Sequence, residues 1–279
     1  MIDFLHFFQY QVEKPVMFGA FHLVCVALTI IAAVAVSAGF KNCSDKTYRR
    51  VIFVCWLICL ILEIIKQPVK SLYRGEEPYF KYSFYDLPFH LCSTIYYIAP
   101  VLFLMKREKH PAVYDALCWF CGIFVLLGGI IVVLYNDIVM SETLFFNLQS
   151  MAHHGIQVVL GVFIVVRNRG KFNINSYLKA LAVLGVYTVL AIAVNVILTP
   201  VADGIDMFYV NPYEVSVLPL INEVHRSAGF IPYLAVYLTI VALGGFVVYA
   251  VEALIAGKFR RGCVFGVRKS PDEKEDEKE

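Results

Sequence analysis

Cys92 is the residue best placed by type for covalent chemistry, because a thiol attacks as its thiolate and needs an imidazole nearby to take the proton. The sequence offers two such imidazoles together, His153 and His154, on a later apolar segment that also carries Gln149, Ser150 and Gln157. A thiol and an imidazole so paired transfer an acyl group through a thioester. His90 is a poor base for Cys92, since residues i and i+2 of a helix point about 200° apart. His90 stands four residues after Asp86 instead, a spacing that orients the ring or binds a polar headgroup. Glu63 and Lys66 form an i,i+3 pair that reads as a partly buried ion pair or a helix-end salt bridge.

Of the remaining cysteines, Cys43 and Cys263 are expected on the cytoplasmic side and the others read as packing. Cys55 and Cys59 lie in an apolar helix, and Cys118-Trp119-Phe120-Cys121 has CxxC spacing without the polar surroundings of a zinc or redox site. Cys25 reads the same way, and nothing demands a disulfide. No nucleotide or metal motif appears, so no cofactor and no metal are expected.

The elements that must position Cys92 and the histidines are apolar and long. Seven segments, 16–40, 51–69, 87–105, 113–134, 148–166, 177–199 and 229–255, each approach the roughly 20 apolar residues that cross a hydrocarbon core. Composition agrees, with 59% hydrophobic and 16% charged residues. Backbone amides in lipid must be bonded within their own helix, and runs such as 122–134 do not alternate as barrel strands do. The expected fold is therefore all-α, one bundle of seven transmembrane helices over 1–257, followed by a basic, then highly charged, disordered tail over 258–279. Residues 1–15 lack a basic n-region, so the first span is expected to stay as an anchor. Gly128-Gly129 in the fourth span permits close helix approach.

Lysines and arginines set the orientation. Four follow span 1, three span 3, four span 5 and five span 7, against six at the opposite face. The positive-inside rule then puts the N-terminus outside and the C-terminus in the cytoplasm of a multi-pass cell-membrane protein. A net charge of +2, with the basic residues spread over several loops, is too small to suggest a nucleic-acid partner, and none is expected.

On this topology spans 3 and 5 both descend from outside. With Asp86 as N-cap and Pro88 in the first turn, Cys92 lies about 9 Å along its helix. His153 and His154 reach nearly the same depth. The longest loop, Thr199 to Ser227, is outside too and carries Asp203, Asp206, Asn211, Glu223 and His225. Glu63, Lys66, Asp86, His90, Cys92, His153, His154 and Asn211, with His225 as a further candidate, are thus expected to converge on one cavity near the outer leaflet. Ionisable groups at membrane depth mark function by default.

Leu87-Pro88-x-His90-Leu91-Cys92-Ser93, Glu63-x-x-Lys66, Gly128-Gly129, His153-His154, Asn211-Pro212 and Pro232-Tyr233 together resemble the YwaF-type integral membrane proteins related to transmembrane protein 164. The resemblance runs from span 2 to span 7. It implies an acyltransferase acting on membrane phospholipids, with Cys92 carrying the acyl group and His154, or failing that His153, as general base. On that reading Lys66 or His90 holds the lipid phosphate, and Ser93 or a nearby amide stabilises the oxyanion. A second reading is a small-solute or ion transporter built on Glu63, Lys66, Asp86 and His90, and a third is a non-catalytic lipid-binding protein. Few polar residues line the inner half, which disfavours a path to both sides.

Overall fold

A computed structural model describes residues 2–73, 79–137, 139–169, 173–202, 204–255 and 257. The tail expected over 258–279 lies outside the described residues, as do Arg74, Lys171 and Asp203.

The chain is a helical bundle. Six helical segments are long and apolar enough to cross a membrane: α2 (Ala20–Phe40), α3 (Asp45–Ser71), the segment Pro111–Leu134, α7 (Leu144–Asn168), α8 (Ile174–Leu198) and α10 (Phe230–Ile255). The segment expected as the third span is shorter, an apolar helix over Leu91–Leu104. It opens with a 3-10 turn, Leu91–Thr94, and continues as α4 (Ile95–Leu104). Asp86 does not cap it, contrary to the expectation: that residue closes a separate 3-10 turn, and the N-cap position belongs to His90 with extended backbone. The physical reason is Pro88, which pushes the preceding residue away from helical geometry. Two short helices, α1 (Ile2–Phe8) and α9 (Asn222–Ala228), and a pair of two-residue antiparallel strands, Leu72–Tyr73 and Tyr79–Phe80, complete the described elements.

Local chemistry fixes the helix ends. The Ser44 hydroxyl accepts from the Thr47 amide at 3.2 Å, and Asp45 stands in the first turn of α3. Asn173 and Ser176 form a reciprocal capping box on α8. Pro111 opens α5 (Pro111–Phe120), where its missing amide hydrogen costs nothing. At the far end of α3, the Gln9 side chain donates to the carbonyls of Val69 and Leu72 at 2.9 and 2.7 Å, which ties the N-terminal helix to the bundle.

α7 is the central helix, and small residues let its neighbours approach. The segment Pro111–Leu134 passes through a buried π turn, Cys121–Val125, before α6 (Leu126–Leu134). A Cβ on Gly161 of α7 would meet Leu126 Cβ at 2.6 Å. A Cβ on Gly129 of α6 would meet the His154 carbonyl oxygen at 2.9 Å and Gln157 Cβ at 3.0 Å. A Cβ on Gly155 would meet Thr29 Oγ1 of α2 at 2.7 Å. The close approach expected of the paired glycines thus belongs to Gly129, since Gly128 meets only Leu91 at 3.9 Å. Cys55, Cys59, Cys118 and Cys121 are packed in the main apolar core, as their surroundings in the sequence imply.

The long loop after α8 folds inward. Asn195 of α8 clamps it with two reciprocal bonds, its amide donating to the Met207 carbonyl at 2.9 Å and its oxygen accepting from the Met207 amide at 2.7 Å. Ile205, Met207, Phe208 and Val210 are fully buried. Phe208 and Tyr209 hold φ of 57°, a left-handed conformation unusual for aromatic residues that this clamp over-determines.

Candidate functional site

Polar residues of α7 recur three and four apart, at Ser150, His153, His154 and Gln157, so they share one face of a helix turned into the bundle. That face meets the first turn of the Leu91–Leu104 helix. Cys92 Sγ and one nitrogen from each of His153 and His154 lie within 4.8 Å of one another. Both imidazoles are buried and Cys92 is half-buried. The equal depth inferred for these residues comes about differently from the expectation. Cys92 is the second residue of its helix, and His153 lies about 14 Å along α7.

The two histidines are held in different ways. Gln157 Nε2 approaches the Cys92 carbonyl at 2.6 Å, which fixes that end of the amide as the NH2 group. Its other hydrogen goes to His153 Nε2 at 2.7 Å, and that nitrogen also stands 3.2 Å from the Cys92 carbonyl; the Gln157 contact, with Tyr96 donating onward to Glu63, assigns the ring proton to Nδ1. Nδ1–H then donates to the Tyr96 hydroxyl at 3.1 Å, and Tyr96 donates to Glu63 Oε2 at 3.1 Å. Both nitrogens of His153 are engaged. His154 is held at Nδ1 by Ser150, donating to its carbonyl at 2.8 Å with its hydroxyl 3.4 Å away, which leaves Nε2 as the unprotonated nitrogen. The rings meet edge to face with centroids 5.0 Å apart.

The rest of the sequence-expected set divides into layers. Glu63, only 6% exposed, pairs with Lys66 at 2.9 Å and joins the cluster through Tyr96. Ser93 is buried beside Cys92, its amide donating to the His90 carbonyl at 2.9 Å. His90 belongs to the loop contact: Nδ1 accepts from the Phe208 amide at 3.3 Å, and its ring lies 5.3 Å from that of Tyr209. Asp86 pairs with Lys70 rather than with His90. Asn211 is buried and spends its side chain inside the loop, donating to Thr199 Oγ1 at 2.9 Å and Ile205 O at 2.5 Å and accepting from the Tyr213 amide at 2.9 Å. His225 stacks on Tyr233 away from the cluster, with centroids 4.7 Å apart.

Tyr96 and Gln157 join the cluster without having been singled out for it. Their signal is spacing: Tyr96 follows Cys92 by four residues and Gln157 follows His153 by four, one helical turn in each case. In chemical terms the arrangement offers a thiol, an imidazole with a free nitrogen, and the amides of Leu91 and Cys92, which precede the first intrahelical bond, from the Ser93 amide to the His90 carbonyl. A thiol and two imidazoles are also ligands for a soft divalent cation, although here both His153 nitrogens are occupied by protein partners.

Comparison with known proteins gives one family. The model of the TMEM164 family matches residues 17–250, a region that contains every member of the cluster. No curated protein and no solved structure matches the chain.

Proposed function

Because the chain belongs to the TMEM164 family, we propose that this multi-pass membrane protein is a lipid acyltransferase of the cell membrane that carries a fatty acyl group on Cys92. The observation that carries the reading is the approach of Cys92 Sγ and the histidine nitrogens to within 4.8 Å in a buried polar layer of an otherwise apolar bundle.

In the first half-reaction His154 Nε2 takes the Cys92 thiol proton, and the thiolate attacks the ester carbonyl of a phospholipid. The negative charge passes to the former carbonyl oxygen, where Ser93 and the free amides of the helix's first turn stabilise it. Collapse breaks the ester C–O bond. The lysophospholipid alkoxide leaves with the proton held by His154, and the acyl group stays on Cys92 as a thioester. In the second half-reaction His154 deprotonates the hydroxyl of a lysophospholipid or similar acceptor. That oxygen attacks the thioester, and Cys92 departs as thiolate and recovers the proton.

The other residues position these groups. Glu63, Tyr96, His153 and Gln157 form a chain of hydrogen bonds that ends on the Cys92 carbonyl and holds the 3-10 turn. Lys66 and His90 face the lipid phosphate, and Asp86 and Asn211 fix the segments that carry them. Transfer of labelled acyl chains between phospholipid and lysophospholipid in nanodiscs tests the reading. Cys92→Ser is expected to abolish turnover while the helical circular dichroism stays unchanged, and full activity in that variant would sink the assignment.

A further inference from the structure

A polar cavity of about 270 Å³ lies toward the end of α7 opposite the thiol cluster. Its walls come from the start of α3, the turn after α4, the start of α5 and the end of α7. Arg167, at its wall, is fourteen residues from His153 on α7, about 21 Å along the axis. The cavity is therefore separate from the thiol cluster.

Its lining is cationic. Arg49, Lys106, Arg107 and Arg167 face two carboxylates, Asp45 and Glu108. Arg107 is neutralised by Asp115 on α5. Among the described residues no carboxylate pairs with Arg49 or Lys106, and Arg49 makes only a long bond of 3.5 Å to the Phe103 carbonyl. Arg167 bonds Asp45 at 3.1 Å through Nη2, yet its buried Nε has no partner. Asp45 is 74% exposed, so that pair contributes little and yields readily to a competing anion. The guanidinium groups of Arg107 and Arg167 lie over the rings of Tyr114 and Tyr48, each 5.9 Å from the centroid, which holds their donor planes in place before any ligand arrives. Asn168 adds an amide, and Tyr48 a hydroxyl, at the cavity floor.

We infer that this cavity is a binding site for a phosphate-class oxyanion, carried either by free phosphate or by a phospholipid headgroup. Planar arginine donors match phosphate oxygens two at a time, and basic pockets between transmembrane helices at headgroup level take anionic headgroups. Each water occupies about 30 Å³, so the volume admits a phosphate together with part of its ester. An oxyanion there supplies the missing partners of Arg49, Lys106 and Arg167 Nε at once. The inference is independent of the chemistry assigned to Cys92.

Calorimetric titration of detergent-purified full-length protein with inorganic phosphate, beside native mass spectrometry of nanodisc protein with and without phosphatidylglycerol, separates the two sources. Binding in either arm that weakens at least tenfold in Arg49→Gln/Lys106→Gln supports the site, and the responding arm names its ligand. Lys106→Gln alone alters an exposed turn and serves if the double variant does not fold, with a several-fold loss expected. Wild-type protein that binds neither probe, or variants that bind as tightly as wild type, would overturn the inference.

Discussion

At the scale of single residues the deciding feature is which nitrogen each histidine leaves free. His153 is tied at both nitrogens by Tyr96 and Gln157, whereas His154 is tied at Nδ1 alone by the Ser150 carbonyl. His154→Ala is therefore expected to slow acyl transfer by about 10²–10⁴-fold, the usual worth of a positioned general base. Tyr96→Phe removes the link to Glu63 but touches neither Cys92 nor His154, so a much smaller loss of rate, about tenfold or less, is expected in the same nanodisc assay. Exhaustive dialysis against a chelator is expected to leave the rate unchanged, because the proton acceptor is an imidazole; a rate lost on chelation and restored by zinc would instead favour a metal held by Cys92 and the histidines. The meeting of Cys92 with the α7 histidines was legible in the sequence from their similar depth on two apolar segments, although the observed helices reach that depth from different starts. Which ring keeps a nitrogen free was not legible, because that depends on a carbonyl and an amide that only the folded chain brings near.

At the scale of elements, the break before the Leu91–Leu104 helix creates the site. An unbroken helix from Asp86 would leave Cys92 with its amide satisfied and its side chain in an ordinary turn. The observed start puts Cys92 at the helix N-terminus, where its amide and that of Leu91 precede the first intrahelical bond. The apolar run over 87–105 hid this, because hydrophobicity does not distinguish a helix from an extended entry held by a distant loop, here by Phe208 on His90. That loop has its own titration. Burial pushes the Asp206 carboxyl up to about 6, against partial relief from the Asn211 amide. A carboxyl raised in the folded state favours the protonated form there, so its contribution to stability is greatest at low pH and declines as pH rises toward and through 6. Thermal melts between pH 4 and 7 are expected to show this decline for the wild-type protein and less of it for Asp206→Asn, which keeps the bond to Asn211. Gly129→Ala is expected to cost about 1–3 kcal/mol by forcing α6 away from the His154 carbonyl, measured as a lower melting midpoint and slower transfer together.

At the scale of the whole molecule, the helical class and the membrane setting followed from composition and segment length, and the six long helices agree with that reading. The sixteen-to-six distribution of lysine and arginine further predicts that the loop at Lys109 faces the cytoplasm and the segment at Glu13 faces outward. In a background that lacks the two thiols expected in the cytoplasm, Cys43→Ser/Cys263→Ser, a membrane-impermeant maleimide is expected to label Glu13→Cys on intact cells and Lys109→Cys only after permeabilisation. The reverse pattern would invert the orientation while leaving the thiol cluster intact. The basic cavity opposite Cys92 was present in the sequence only as ordinary loop charge, since its walls come from four elements far apart in the chain. The most direct test of the chemistry is to incubate purified protein with acyl-radiolabelled diacyl phospholipid and quench it in acid. Label that stays on wild type, is absent from Cys92→Ala and is released by neutral hydroxylamine is the expected result. Folded, lipid-bound protein that retains no label would contradict the thioester and point to transport or lipid binding instead.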